Sequence, residues 1–218
     1  LEFLDSRLDC LAFPTTKKFS SLAREASGFL KDYDSPDTAL ISWYETEEAM
    51  FRQLERVHVD RQLEDNFQDA DHFIEYAKSV LNRRNSRAGA SLENHMAHIL
   101  KEKEIQFSRE PTTEGRKKPD FIFPSISHYR DTNFPDGKLN MLAVKTTCKD
   151  RWRQVLTEAN RIESKHLLTL QPNISPNQTE EMLELKIRLV IPEPILYTYS
   201  AKQRDEILTL DTFLRKMG

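Results

Sequence analysis

From residue 120 onward the chain carries four aliphatic runs, DFIFP, LNMLAVKTT, HLLTLQ and LKIRLVIP, each of strand length and too short for a helix. They predict a sheet. Between the second and third runs lies DRWRQVLTEANRIES, whose Trp152, Val155, Leu156, Ala159 and Ile162 form an apolar helical stripe. A helix between two strands predicts a βαβ crossover and therefore parallel pairing. The last segment, SAKQRDEILTLDTFLRKM, reads as one helix capped by Ser200, with Ile207, Leu208, Leu210, Phe213 and Leu214 buried.

The first third has a different rhythm. Residues 17–33 space their apolar groups as a short helix, broken by Asp34-Ser35-Pro36. Asp37-Thr38 can cap a second helix through about Val57, a third follows over 64–84, and a fourth over 88–104 carries Leu92, Met96, Ile99 and Leu100 on one face with Glu93 and His95 beside it. The expected fold class is α/β: a mixed central sheet flanked by helices, with a site at the strand ends. Residues 1–218 read as one domain, 1–85 a mainly helical N-terminal layer and 86–218 the core. At 38% hydrophobic residues, with 12 Phe and 2 Trp, the chain can bury that core without staples.

Composition excludes several classes. Cys10 and Cys148 are too few for a disulfide framework or a thiolate zinc site, and the six histidines show no HxxxH spacing. A reducing cytoplasm is the simplest compartment. No apolar run approaches the roughly 20 residues that span a bilayer, and LEFLDSRLDC lacks the regions of a signal peptide. Because the chain opens on Leu1, it is expected to be a fragment of a longer polypeptide. The net charge of −3 is unevenly spread: residues 1–80 carry 9 Lys and Arg against 17 Asp and Glu, and the rest carry 23 against 18. A phosphate-binding surface is expected in the second part.

One constellation carries chemistry. Asp120 follows Lys117-Lys118-Pro119 at the start of a strand, and Lys145 ends the next strand 25 residues on. Adjacent strand ends would place a carboxylate able to hold a divalent cation beside an ammonium able to bind a phosphate or acidify a water. This is the PD-(D/E)xK pattern, with Pro119-Asp120 and Ala143-Val144-Lys145 as its halves. The usual acid two residues before the lysine is Ala143, so a second carboxylate must come from elsewhere. Glu158, 13 residues after Lys145 on the expected crossover helix, can supply it. Lys149, Asp150 and Arg151, at the start of that helix, match the donors and acceptors of guanine and cytosine edges, and read equally as a charged helix start.

KPDFIFPSISHY followed by LNMLAVKTTCKDRWRQVLTEANRIESKHLLTLQ resembles the catalytic segment of the EcoRII, PspGI and Ecl18kI group of restriction endonucleases. In that group the second carboxylate has moved from the strand to the following helix, as Ala143 and Glu158 suggest. The resemblance implies a restriction-endonuclease-like fold, Mg2+ bound by Asp120 and Glu158, Lys145 as catalytic lysine, and Glu93 completing the acidic cluster. It further implies a bacterial homodimer cutting double-stranded DNA at CC(A/T)GG to leave 5′ phosphates. Lys149, Asp150 and Arg151 would read the outer bases, and an N-terminal effector DNA-binding domain would be absent from this chain. Its central base pair would be flipped, with Trp43 and Tyr44 as the aromatic surface, although both also fit a packed core. Two other readings stay open: a repair or junction nuclease of the same fold, and a DNA-binding module without catalysis.

Overall fold

The computed structural model describes residues 13–28, 35–148 and 151–218. The chain divides into two compact units, residues 13–28 with 41–95, and residues 35–40 with 96–218. No helix among the described residues is long and apolar enough to cross a membrane.

The first unit is helical. Helix α1 (Thr16–Ala26) starts where the Thr15 hydroxyl accepts the Lys18 amide, and it buries Phe19, Leu22 and Ala23. These pack with Met50, Phe51 and Leu54 of α2 (Pro36–Glu64). The third and fourth expected helices are one continuous element, α3 (Ala70–Glu102). The stretch Arg84–Gly89 between them holds no proline, and a single glycine costs a helix only about 1 kcal/mol. The unit also buries charge: His95 Nε2 lies 2.9 Å from Glu47 Oε2, its Nδ1 lies 3.2 Å from Arg24, and Arg84 reaches Glu55 at 2.7 Å. Burial lowers the His95 pKa, against the raising effect of Glu47.

The second unit is built on a five-stranded sheet of order β1-β2-β3-β4-β5, comprising Ser108–Arg109, Phe121–Phe123, Asn140–Lys145, Lys165–Thr169 and Ile187–Val190. The first two pairings are antiparallel and the last two parallel, so β3 is the strand at which the sheet changes character. All four expected strands form, and β1 adds a two-residue edge that carries no periodicity to read. On β3 side chains alternate between faces. Met141 and Ala143 join Ile122, Leu167 and Leu189 on the face covered by Trp152, Val155, Ala159 and Ile162. The other face is closed by Phe213, whose ring lies 5.8 Å from Phe123 and 5.1 Å from His166.

Three local readings are corrected. The crossover helix α5 lasts only from Trp152 to Val155, and turns then lead to β4, with Ala159 in the left-handed region at φ 48. Right-handed helix cannot run through that conformation. The final segment is two helices, α8 (Ala201–Glu206) and α9 (Leu210–Met217), because Leu208 between them bridges Val190 and extends the sheet edge. Ser200 caps α8 in a reciprocal capping box with Gln203. Asp37 does not cap its own helix; its carboxylate accepts the amides of Glu193, Leu210 and Asp211 at 2.8–2.9 Å. It thereby serves the start of α9 and of the short α7 (Glu193–Leu196). The remaining crossover, α6 (Pro176–Glu184), begins at a Ser175 cap with Pro176 at its first position.

Candidate active site

Asp120 immediately precedes β2, where the pairing of Phe121 with Leu142 sets it beside the end of β3. It is buried, and its Oδ2 accepts the Val144 amide at 2.6 Å and the Lys145 ammonium at 2.9 Å. Lys145 shares the face of Met141 and Ala143 by alternation. The small Ala143 side chain leaves the carboxylate of that face to come from the segment packed over it, and that segment carries Glu158.

Glu158 is half-buried, and its Oε2 is enclosed without a hydrogen-bond partner. Burial raises its pKa above the usual carboxylate value; Lys145, Lys165 and Lys117 pull it down, and Asp120 pushes it up. These charges mark the neighbourhood of the site: two carboxylates among three lysines. Lys165, which the sequence reading passed over, is buried at the start of β4 and donates to the Leu156 carbonyl at 2.7 Å. A lysine opening a fully buried strand was the available signal. Burial lowers its pKa, and Glu158 and Glu114 oppose that shift.

Among the described residues no three His, Cys, Asp or Glu side chains converge as a ready cage. Magnesium does not require one. It keeps several waters and takes one or two carboxylates together with substrate phosphate oxygens. A buried carboxylate oxygen with no partner, beside a second carboxylate and an ammonium, fits such an ion.

The other predicted residues are placed less directly. Glu93 is half-buried on α3 within the first unit. Arg151 is exposed at the N-terminal end of α5, while Lys149 and Asp150 lie outside the described residues. Trp43 is fully buried, with its ring 5.8 Å from His95, so the expectation that it offers a surface to an extruded base is corrected: it is a core side chain. Its neighbour Tyr44 is only half-buried and lines a cavity of about 140 Å3 with Glu48, Phe51, Arg52, Arg84 and Ser91. Burial, then the charges of Glu48 and Glu47, push the Tyr44 hydroxyl up to about 12.

Comparison with known proteins bears on the family and the fold. Residues 51–214 match the family model described as EcoRII C terminal. The chain is 44% identical over 208 residues to the type II restriction enzyme EcoRII of Escherichia coli, covering 95% of this chain and 51% of that protein. It therefore spans about half the length of this curated relative. Among solved structures, metal-depleted Ecl18kI in complex with uncleaved, modified DNA superposes with a TM-score of 0.80 at 18% identity, covering 99% of this chain and 81% of the other. The PspGI–substrate DNA complex gives 0.71 at 15% identity, covering 96% of each chain. These likenesses establish the restriction-endonuclease-like fold.

Proposed function

This chain belongs to the EcoRII C-terminal family, and on that premise we propose that it is the nuclease part of a type II restriction endonuclease, hydrolysing double-stranded DNA with magnesium. The observation that carries the proposal is the convergence of Asp120, Lys145 and Glu158, with one Glu158 oxygen buried and unpartnered.

Asp120 and Glu158 would hold the cation. When bound, it would neutralise charge on the phosphate oxygens and ease deprotonation of a water. Lys145 is the chain's own contribution to the step. Its ammonium is fixed by Asp120 at the strand end, where it can bind a scissile phosphate oxygen or stabilise the hydroxide that attacks. The Val144 amide holds Asp120 in place before any ligand arrives, so little reorganisation remains at the moment of reaction. The product expected is a 5′ phosphate. Glu93 is proposed as a further member of the acidic set.

For recognition we propose CC(A/T)GG, read at its outer bases by Lys149, Asp150 and Arg151 and cut by a twofold homodimer, each subunit taking one strand. Two features support this reading: the exposed Arg151 next to the catalytic strand and the family membership. Flipping of the central pair is supported by the Tyr44 cavity, which offers an aromatic wall with both donors and acceptors to a flat, polar-edged base. An effector DNA-binding domain elsewhere in the full-length protein belongs to the same proposal.

The deciding experiment is cleavage of a duplex library by the purified chain with magnesium, with sequencing of the ends and Asp120→Ala and Glu93→Ala as controls. Double-strand breaks confined to CC(A/T)GG and lost with Asp120→Ala support the whole reading. Breaks at other sequences discard the specificity, preferential cutting of branched substrates indicates a repair nuclease, and absence of cutting with retained DNA binding indicates a binding module. 2-Aminopurine at the central position should brighten on binding, and lose that signal with Tyr44→Ala.

A further inference from the structure

Glu158 sits on a turn, and the contacts that fix this turn lie away from the acidic pair. Ala159, the next residue, is fully buried and left-handed at φ 48. An L-residue there costs about 1–2 kcal/mol, so the surroundings must impose the conformation. Two backbone amides are anchored first: Asn160 donates to Glu114 Oε2 at 3.4 Å and Arg161 to the Tyr129 hydroxyl at 3.2 Å. That hydroxyl in turn donates to the Glu114 carboxylate at 2.8 Å.

The larger anchor is the Arg161 side chain. Its guanidinium donates to the carbonyls of Tyr129, of Asp131 at 2.9 Å and of Phe134 at 2.8 Å, and to Asp136 Oδ1 at 2.9 Å. The first two of these acceptors stand at the C-terminal end of α4 (Ile126–Arg130), where unfilled carbonyls and the helix dipole favour a cation. Nearly the whole donor fork is used, and a lysine could not reproduce it. Lys165 completes the arrangement from the other side, through its bond to Leu156.

We propose that Arg161 is a positioning residue for Glu158: by seating in the C-terminal end of α4 it holds turn 156–162 so that the Glu158 carboxylate stands beside Asp120 and Lys145, which sets the affinity of the acidic pair for a divalent cation. The proposal rests on the metal-dependent reading above. Arg161 touches neither the substrate nor the ion; its effect passes through the backbone. Outer partners of this kind change metal affinity about 10- to 100-fold when removed.

The test is Mn2+ binding to the whole chain without DNA, by titration calorimetry near neutral pH, for wild type, Arg161→Lys, Tyr129→Phe, Glu158→Gln and Arg153→Ala. Arg153, in an exposed ion pair with Glu181, is the control. Thermal unfolding is measured alongside. Arg161→Lys should bind Mn2+ at least about 10-fold more weakly and unfold at a lower Tm while remaining folded at the assay temperature, Tyr129→Phe should lose less, and the control should match wild type. In cleavage assays excess metal should restore kcat for Arg161→Lys while KM for DNA stays unchanged, a pattern that a purely structural arginine would not give. Wild-type Mn2+ affinity in folded Arg161→Lys overturns the proposal. Should that variant fail to fold, wild-type affinity in Tyr129→Phe overturns it instead. If Glu158→Gln binds Mn2+ as wild type does, the metal reading fails, and this inference falls with it.

Discussion

The Lys145 ammonium and Asp120 Oδ2 stand 2.9 Å apart, although 25 residues separate them in the chain. The contact is a product of the β2–β3 pairing, and the same Asp120 oxygen is tied independently to the Val144 amide at 2.6 Å. Removing the lysine should therefore leave Asp120 where it is. Lys145→Ala is expected to lower the cutting rate by about 10²- to 10³-fold or more while specific binding in calcium survives. Single-turnover kinetics and a binding titration check the two halves separately, and unaltered cutting would remove Lys145 from the chemistry.

Glu158 should trade stability for function. Burial, more than any other influence, raises its carboxyl above its unfolded value. The folded state then holds the proton more tightly, so at pH above that range ionised Glu158 opposes folding. Glu158→Gln is predicted to abolish metal-dependent cutting and to raise Tm near neutral pH by about 1–3 °C. The gain should shrink as acid protonates the wild-type carboxyl. A lower Tm in the variant across this range would contradict the assignment.

His166 contributes to the pH dependence of the fold. Burial lowers it from 6.5 to about 4, against a hydrogen bond to the Met141 backbone, and its ring packs on Phe213. Between those two values the unfolded chain binds a proton that the folded chain refuses, so stability rises with pH across the window and is lost as pH falls from about 6.5 towards 4. The full effect is about 3 kcal/mol. Urea unfolding of His166→Leu should show a flatter profile over this interval; an unchanged slope would point to other groups.

Asp37 should behave as a keystone of the second unit. Its buried carboxylate serves three backbone amides from residues more than 150 positions away. Asp37→Ala would strand them, at a cost of about 3 kcal/mol, visible as a lower urea midpoint. Asp211→Ala, which alters a neighbouring half-buried carboxylate that, among the described residues, strands no amides and pairs only with the exposed Arg215, should cost much less.

Four of the five strands were legible because they are largely buried and read as runs rich in aliphatic residues, whereas the half-buried β1 was not. Asp120 and Lys145 were legible because both lie at the ends of such runs. What escaped was set by tertiary contacts. Nothing in DRWRQVLTEANRIES announces that the helix stops at Val155, since the left-handed Ala159 is fixed by bonds from Asn160 and Arg161 to Glu114 and Tyr129, which lie outside the segment. Lys165 was missed for the same reason: its acceptor is a carbonyl exposed only because the helix ended. Trp43 and Tyr44, adjacent in the chain, differ in burial because a helix turns by 100° per residue, so the pair could not share one role.

The register of β2 against β3 also determines how this protein can fail. Because side chains alternate along a strand, a pairing slipped by one residue would turn Lys145 to the opposite face and break the Asp120–Val144 bond at once. No intermediate register offers half a site. A copy paired in the slipped register would thus lack the proposed site altogether rather than keep a loosened one.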